Sequence, residues 1–318
     1  MKKKGFTLIE LLVVIAIIAM LLAILMPALN KVKKIAQRVV CGTNLKGFGN
    51  AMMVYANDFD GDYACLARNT NHRWQENTIG WDADPYPMTD RTVGASLYLL
   101  VRLADVSPKS FVCPASQQAE FSGKNQFNKD IVELWDFGTR DAGATWDAEG
   151  PARCVSYAYQ QPYNLIQGGP GKYRADDSRS AAFAVMADRN PWYDTKLTIG
   201  APTTATYLEN VFAIATYWQD NYTPPAGVTE RQAIMVANAQ PHEREGQNVM
   251  FADGHASFDR TSDVGVKNDN IYTKINTGDL TPTGWRVGQG YGKNRTGPNE
   301  DPSTITDSLL ASDFFINL

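Results

Sequence analysis

The sequence predicts an α+β fold in which one long N-terminal helix, first apolar and then amphipathic, packs its distal half on an antiparallel β-sheet with long loops. Three observations predict it. Residues 11–29 form a run of nineteen without a charge. Beyond the run, apolar residues recur at helical spacing as far as Tyr55. After Asp60 the chain changes to short β-prone stretches between turn-forming segments.

The nineteen uncharged residues rise about 29 Å at 1.5 Å each, close to a hydrocarbon core of about 30 Å. Glu10 stands at the edge of the run. A carboxylate in such a segment costs on the order of 2.5–3.5 kcal/mol at the bilayer centre, less near the edge, and reads as a functional residue. Pro27 should kink the helix, because it lacks an N–H and crowds the preceding turn. Leu29, Val32, Ala36, Val39 and Val40, then Leu45, Phe48, Met52 and Tyr55, form the amphipathic stripe. Lys31, Lys33, Lys34, Arg38 and Lys46 fall largely between them. Gly42, Gly47 and Gly49 each weaken the helix by about 1 kcal/mol relative to alanine. The turn signal at residues 57–61 should end it near Asn57.

The head of the chain, Lys2, Lys3, Lys4, Gly5, Phe6, Thr7, Leu8, Ile9 and Glu10 before an apolar helix, resembles the prepilin-like signal of type IV pilins and type II secretion pseudopilins. The resemblance implies that a prepilin peptidase cuts after Gly5 and methylates Phe6, the new N-terminal residue. It implies that Glu10, fifth in the mature chain, meets the N-terminal amine of a neighbouring subunit during assembly. A proline near position 27 is also common in such helices. An ordinary secretory signal has an apolar core of about 7–15 residues with its cleavage site beyond it, and this run is longer. Lysines flank the run on both sides, so the positive-inside rule leaves orientation close to a tie. The resemblance places the N-terminus in the cytoplasm and everything after Asn30 outside. The chain thus divides into a leader at residues 1–5, a helix at 6–57 and an exported α+β domain at 58–318.

In that domain, candidate strands lie at residues 110–113, 155–159, 181–187, 248–252, 255–259 and 271–275, with a short helix at 98–104. Residues 122–150 and 218–228 read as surface insertions. Asp253-Gly254 between two alternating runs is a hairpin signal and predicts a two-residue type I′ turn. Val249 and Phe251 would share a face and pair across with Ala256 and Phe258.

His242, ten residues and then Asp253-Gly254, within HEREGQNVMFADGHASF, resembles the C-terminal signature of large prepilin-like proteins of planctomycete- and verrucomicrobia-type bacteria. That signature has a nine-residue spacer, one shorter than here. The phrases at residues 111–114, 154–159, 186–189 and 269–273 are similar to phrases of the same family. The resemblance implies a disulfide between Cys113 and Cys154, with Cys41 and Cys65 a candidate second pair. Four cysteines by themselves allow three connectivities, or buried thiols.

Residues 1–38 hold seven basic residues and one acid; the remainder holds 23 basic and 33 acidic. An acidic domain argues against nucleic acid as a partner. No HExxH, CxxC, phosphate loop or GxSxG elbow occurs. His242, Asp253 and His255 are types that ligate metals or move protons, but the turn accounts for Asp253 and an exposed strand start for His255. No catalytic or metal residue is therefore expected, and no cofactor. Residues 57–62 resemble part of a calcium loop, yet Ala56 and Ala67 stand where an EF-hand needs acids; calcium at another kind of loop is the alternative kept open. Seven tryptophans read as packing rather than a sugar platform.

The expected protein is a non-enzymatic prepilin-like structural subunit of the bacterial inner membrane, single-pass, with its domain periplasmic or on a filament. Its partners would be prepilin peptidase, other pilin or pseudopilin subunits and the inner-membrane assembly machinery. A minor tip or membrane-anchored surface binding protein is the first alternative, and an exported enzyme on a pilin-type anchor the second.

Overall fold

The structure, a computed structural model, describes residues 8–66, 73–74, 90–121, 123, 130–137, 151–160, 162, 174–191, 235, 238–272 and 310–311. Helix α1 spans Leu8–Asp58 as one element and passes through Pro27. It ends one residue past the expected point, where Asp60 and Gly61 take positive φ (54° and 83°). Its two parts differ in surroundings. Leu12, Ile18, Leu25, Leu29, Val32 and Val39 are all about half exposed or more. Burial begins at Cys41 and continues through Leu45, Phe48, Gly49, Met52 and Tyr55. The expected stripe is therefore covered only in its second part. Leu29, Val32, Val39 and Val40 stay largely exposed; among the described residues, the domain meets the helix before Cys41 through the polar side chains of Lys34, Gln37 and Arg38.

The sheet has five antiparallel strands: β1 Tyr157–Gln160, β2 Ala184–Asp188, β3 Gln247–Phe251, β4 Ala256–Asp259 and the short β5 Leu310–Ala311, in the order β4-β3-β2-β1-β5. The four longer strands fall on four expected runs. β3 is buried along its whole length, with α1 packed against it. Helix α2, Val93–Leu103, starts five residues earlier than expected, since Thr92 caps it by accepting the Ala95 N–H at 2.9 Å. Residues 93–101 are all buried, so α2 is a core helix. Rings join the layers: Phe48 of α1 stacks on Phe111 at 4.5 Å and meets Tyr157 of β1 edge-on at 5.4 Å. Phe137 meets both Phe111 and Tyr98 of α2 at 4.9 Å.

Four expectations are corrected. Residues 110–113 are not a strand: Pro108–Phe111 is a 3-10 turn, opened by a proline that suits a first helical position. Ile271 and Tyr272 form a turn, and the rest of 271–275 lies outside the described residues. The β3–β4 connection is a three-residue loop. Gly254 N–H donates to the Phe251 carbonyl (2.8 Å), Phe251 N–H donates to the His255 carbonyl (3.0 Å), and Gly254 alone of the loop takes positive φ, 78°. The extra residue shifts the register by one, so Met250 pairs with Ala256, Asn248 with Phe258 and Val249 with Ser257. Of the expected surface insertion at 122–150, residues 130–137 are described and are not a surface segment, since Leu134, Asp136 and Phe137 are buried in the core; the expected insertion at 218–228 lies outside the described residues.

The helix glycines have a packing use. A Cβ on Gly49 would lie 3.0 Å from Gly254 Cα and 3.1 Å from its carbonyl oxygen; one on Gly47 would meet nothing within 4 Å. Gly47→Ala should thus stabilise the chain by about 0.5–1 kcal/mol. Gly49→Ala should destabilise it by roughly 1–3 kcal/mol by forcing helix and hairpin apart. Gly254→Val, at positive φ and with Met53 Cε 2.6 Å from the added Cβ, should cost roughly 2–4 kcal/mol. Thermal unfolding of the full chain in detergent checks the signs; equal effects at positions 47 and 49 would reject the close approach.

Candidate functional site

Two features stand out, one along the first part of α1 and one where α1 enters the domain. The first is an apolar helix segment with none of its most apolar eighteen-residue window buried. It is long and apolar enough to cross a membrane. Glu10 lies exposed in the first described turn, where the helix dipole favours a negative charge. Gly5 and Phe6, the expected processing residues, lie outside the described residues.

The second feature sits at Cys41, the first buried residue of α1. Cys41 is disulfide-bonded to Cys113, with Cα atoms 5.4 Å apart. The expected bond between Cys113 and Cys154 is corrected, and so is the pairing of Cys41 with Cys65. Cys154 and Cys65 carry buried thiols outside the disulfide. The 3-10 turn at Pro108–Phe111 turns the following Cys113 towards α1, one ring stack away from Phe48, and Cys41 is thereby the partner within reach.

His242 belongs to this junction. It lies in the Pro241–Arg244 turn, where His242, Glu243 and Arg244 all take positive φ (65°, 58° and 60°). Non-glycine residues rarely do so, and a run of three is costly. Outward-facing ion pairs hold the turn on the helix: Lys34 to Glu243 at 2.6 Å and Arg38 to Glu245 at 2.7 Å. Arg38 also lies over the Phe258 ring, 3.8 Å from its centre. The imidazole points the other way, into the protein, and its side chain is 1% exposed. Its Nε2 lies 3.6 Å from Cys113 Sγ, 3.5 Å from Asp188 Oδ2 and 3.2 Å from Asn248 Nδ2.

Asp188 closes the group from the end of β2. Its side chain is fully buried. Asn248 of β3 donates to its Oδ2 twice, through the backbone N–H at 2.7 Å and Nδ2 at 3.1 Å. Oδ1 has no hydrogen-bond partner among the described residues. Burial pushes the Asp188 carboxyl up to about 7 in spite of the Asn248 donors. Burial, helped by the positive charge of Arg38, pulls His242 down to about 4. Both groups are thus neutral between about pH 4 and 7, with four chain segments meeting in a buried junction.

Asp253 and Gly254 lie elsewhere. They sit at the far end of β3 from Asn248, at the hairpin tip beside α1. Asp253 bonds His255 in the turn, and the His255 backbone N–H holds its carboxyl below the ordinary range. The signature histidine and aspartate therefore do not converge; one anchors the junction and the other shapes the turn. In the suspected calcium loop, both carboxylate oxygens of Asp62 accept from Arg174 at 2.7 Å, so a cation already occupies that carboxylate. Sequence reasoning missed Cys41 as the partner of Cys113, and it missed Asp188. The phrases at 111–114 and 186–189 had marked their neighbourhoods, but no spacing rule joins residues so distant in the chain.

A non-reducing peptide map should link the Cys41 peptide to the Cys113 peptide; a link to Cys154 would reject the observed junction. On the chain-entropy account, a separation of 72 residues makes reduction cost about 4 kcal/mol. The two titrating groups give a pH signature in the disulfide-closed chain. A carboxyl raised from 3.8 to about 7 contributes stability at low pH that is lost as pH rises through that window. An imidazole lowered from 6.5 to about 4 contributes stability at high pH that is lost as pH falls through its window. The two slopes oppose each other in the native chain. His242→Gln should therefore lose stability from about pH 4 to 7, and Asp188→Asn should lose it from about pH 6.5 down to 4. Melting temperatures across pH show both; identical slopes in the two variants would contradict the assignment.

Residues 1–26 match the family described as the Prokaryotic N-terminal methylation motif. No curated protein and no solved structure matches the chain. The match covers the part of the chain that holds Gly5, Phe6 and Glu10 and the greater part of the uncovered apolar segment. The chain therefore carries a prepilin-type N-terminal methylation motif at the head of a long apolar helix, joined to an α+β domain.

Proposed function

We propose that this protein is a prepilin-like structural subunit, cut after Gly5, methylated on Phe6 and assembled through α1 into a type II secretion pseudopilus or type IV pilus-like filament. The observation that supports the reading best is the pairing of the methylation motif with an apolar helix segment that its own domain leaves uncovered. Such a segment needs an apolar partner, because exposing it to water costs about 25 cal/mol for each Å2 of apolar surface. Two partners are available in turn. The bilayer of the bacterial inner membrane covers the segment of a single subunit, with the α+β domain on the periplasmic side. The same segments of neighbouring subunits cover it in a filament.

Glu10 sets the register of that exchange. A carboxylate is costly in hydrocarbon, and in the filament the methylated Phe6 amine of a neighbour supplies the opposite charge. The rigid junction at Cys41 then carries each domain at a fixed angle on its helix, so that the acidic domains coat the bundle. The work is assembly; prepilin peptidase, other subunits and the assembly machinery are the partners. The binding-protein reading rests on tryptophans, of which only Trp135 has a described side chain. The enzyme reading asks His242 and Asp253 to meet, and they stand at opposite ends of β3.

Intact-mass measurement of the native membrane protein should give a chain that begins at Phe6 and carries one added methyl group. A chain starting at Met1, or one cut beyond residue 25, would sink the reading. Glu10→Val should be processed and inserted normally yet be left out of filaments. Co-assembly of that variant with wild-type subunits at equal efficiency would show that the carboxylate has no part in assembly.

A further inference from the structure

The junction between helix and domain holds an unusual set of atoms for a disulfide. Cys41 Sγ, Cys113 Sγ, His242 Nε2 and a carboxylate oxygen of Asp188 lie within 4.8 Å of one another, and all four residues are buried. We propose that, when the Cys41–Cys113 disulfide is opened, the two thiolates, the His242 imidazole and the Asp188 carboxylate bind one Zn2+ ion, so that the junction is stapled by either a disulfide or a metal.

The distances favour a tetrahedral ion. Zinc bonds of about 2.3 Å to sulfur and 2.0–2.2 Å to nitrogen and oxygen put neighbouring ligand atoms about 3.3–3.8 Å apart. Cys113 Sγ to His242 Nε2, at 3.6 Å, already has that spacing, and Asp188 brings a carboxylate oxygen within 4.8 Å of the other three ligand atoms. The two sulfurs must separate from a bonded distance of about 2 Å. The donor set of two thiolates, an imidazole and a carboxylate suits zinc in preference to the hard cations that take oxygen alone.

A second observation is independent of those spacings. Asp188 Oδ1 is buried and has no hydrogen-bond partner among the described residues, an unfavourable state for a carboxylate. Its other oxygen is fixed by the two Asn248 donors, as the outer bonds to a metal-ligating carboxylate commonly are. Nitrogen, sulfur and carboxylate ligand atoms thus gather within 4.8 Å of one another in a buried junction, a donor set suited to a cation. On binding, Asn248 Nδ2 gives up its 3.2 Å approach to His242 Nε2 and keeps its bond to Asp188. Two thiolates and one carboxylate on Zn2+ leave one negative charge. Arg38, one turn before Cys41, has its positive charge close enough to act on both Asp188 and His242. No substrate can reach a His242 side chain that is 1% exposed, which sets aside an acid–base use of the same pair.

The exchange balances with a dithiol as reductant. The dithiol gives two electrons and two protons to the Cys41–Cys113 bond, becomes a disulfide itself and leaves two protein thiols. Zn2+ then binds as those two thiols, and the Asp188 carboxyl where it is protonated, release their protons to water. A two-electron oxidant reverses the sequence, expels the ion and closes the disulfide.

The test uses the full chain in detergent micelles, reduced with a phosphine, and Zn2+ or Co2+ alone as probe. Competition with a coloured chelator should give one Zn2+ for each reduced chain and none for the oxidised chain. Co2+ should produce the thiolate charge-transfer absorption and intense visible bands of a tetrahedral sulfur-containing site. Zn2+ should shield Cys41 and Cys113, and not Cys65 and Cys154, from alkylation read by peptide mass. Cys41→Ser, Cys113→Ser, His242→Gln and Asp188→Asn should each weaken binding by at least about tenfold, the scale of losses already seen when ligand-supporting groups are removed, while the Cys65→Ser/Cys154→Ser double variant binds as wild type. Zinc held equally by the oxidised chain, shielding at Cys65 and Cys154, or full affinity in any of the four ligand variants would overturn the proposal. Should a variant fail to fold, the Co2+ spectrum of the wild-type chain decides: octahedral bands without thiolate charge transfer overturn it.

Discussion

One helix has to meet two kinds of surroundings, and the structure depends on where it changes from one to the other. From Cys41 to Asp58, α1 is buried against β3, α2 and the aromatic cluster around Phe48. Before Cys41 none of the large apolar residues of α1 is buried by the described residues. Within the buried part, two glycines let the helix and sheet backbones approach closely. Gly42 faces Asn248 and Gly49 faces Gly254. The glycines that weaken α1 as an isolated helix allow it to seat against the hairpin, and the gain in packing outweighs a propensity cost of about 1 kcal/mol each.

The same boundary is where covalent, ionic and ring contacts concentrate. The Cys41–Cys113 bond, the Lys34 and Arg38 ion pairs to the Pro241–Arg244 turn and its following residue, and Arg38 over Phe258 all lie within two turns of helix. The ion pairs are at least partly exposed, and such pairs contribute little singly. Their effect is to orient the turn, whose left-handed residues send His242 inward while Glu243 and Glu245 reach out to the helix. In the proposed subunit, these contacts would hold the domain in place on its helix. Backbone strain at residues 242–244 is the sort of cost that surrounding contacts must hold in place.

The hairpin shows how a local signal can be right in kind and wrong in detail. Asp253-Gly254 does mark a turn between two strands. One additional loop residue changes which side chains share a face, since strand periodicity is two and a shift of one reverses the faces. Phe258 consequently comes to the helix side, where Arg38 covers it, and Phe251 stacks on His255 on the other side at 4.5 Å. Loop length is set by the close contact of Gly254 with α1, a tertiary demand invisible to turn propensities.

The sequence by itself determined the long helix, its apolar first part, the methylation motif and the placement of four strands. Each is written in consecutive residues: an uncharged run, a basic head ending in glycine, alternations bounded by turn formers. Composition likewise showed an acidic domain after a basic head. Only the tertiary structure decided the disulfide partner, the end of burial at Cys41, and the meeting of Cys41, Cys113, Asp188 and His242. The physical reason is that these depend on which segments the core brings together. The stacking of Phe48 on Phe111 draws Cys113 to α1, and β2 beside β3 draws Asp188 to Asn248 and His242. Spacing along a chain carries no information about such encounters when one partner arrives from a helix, another from a turn and a third from the end of a strand.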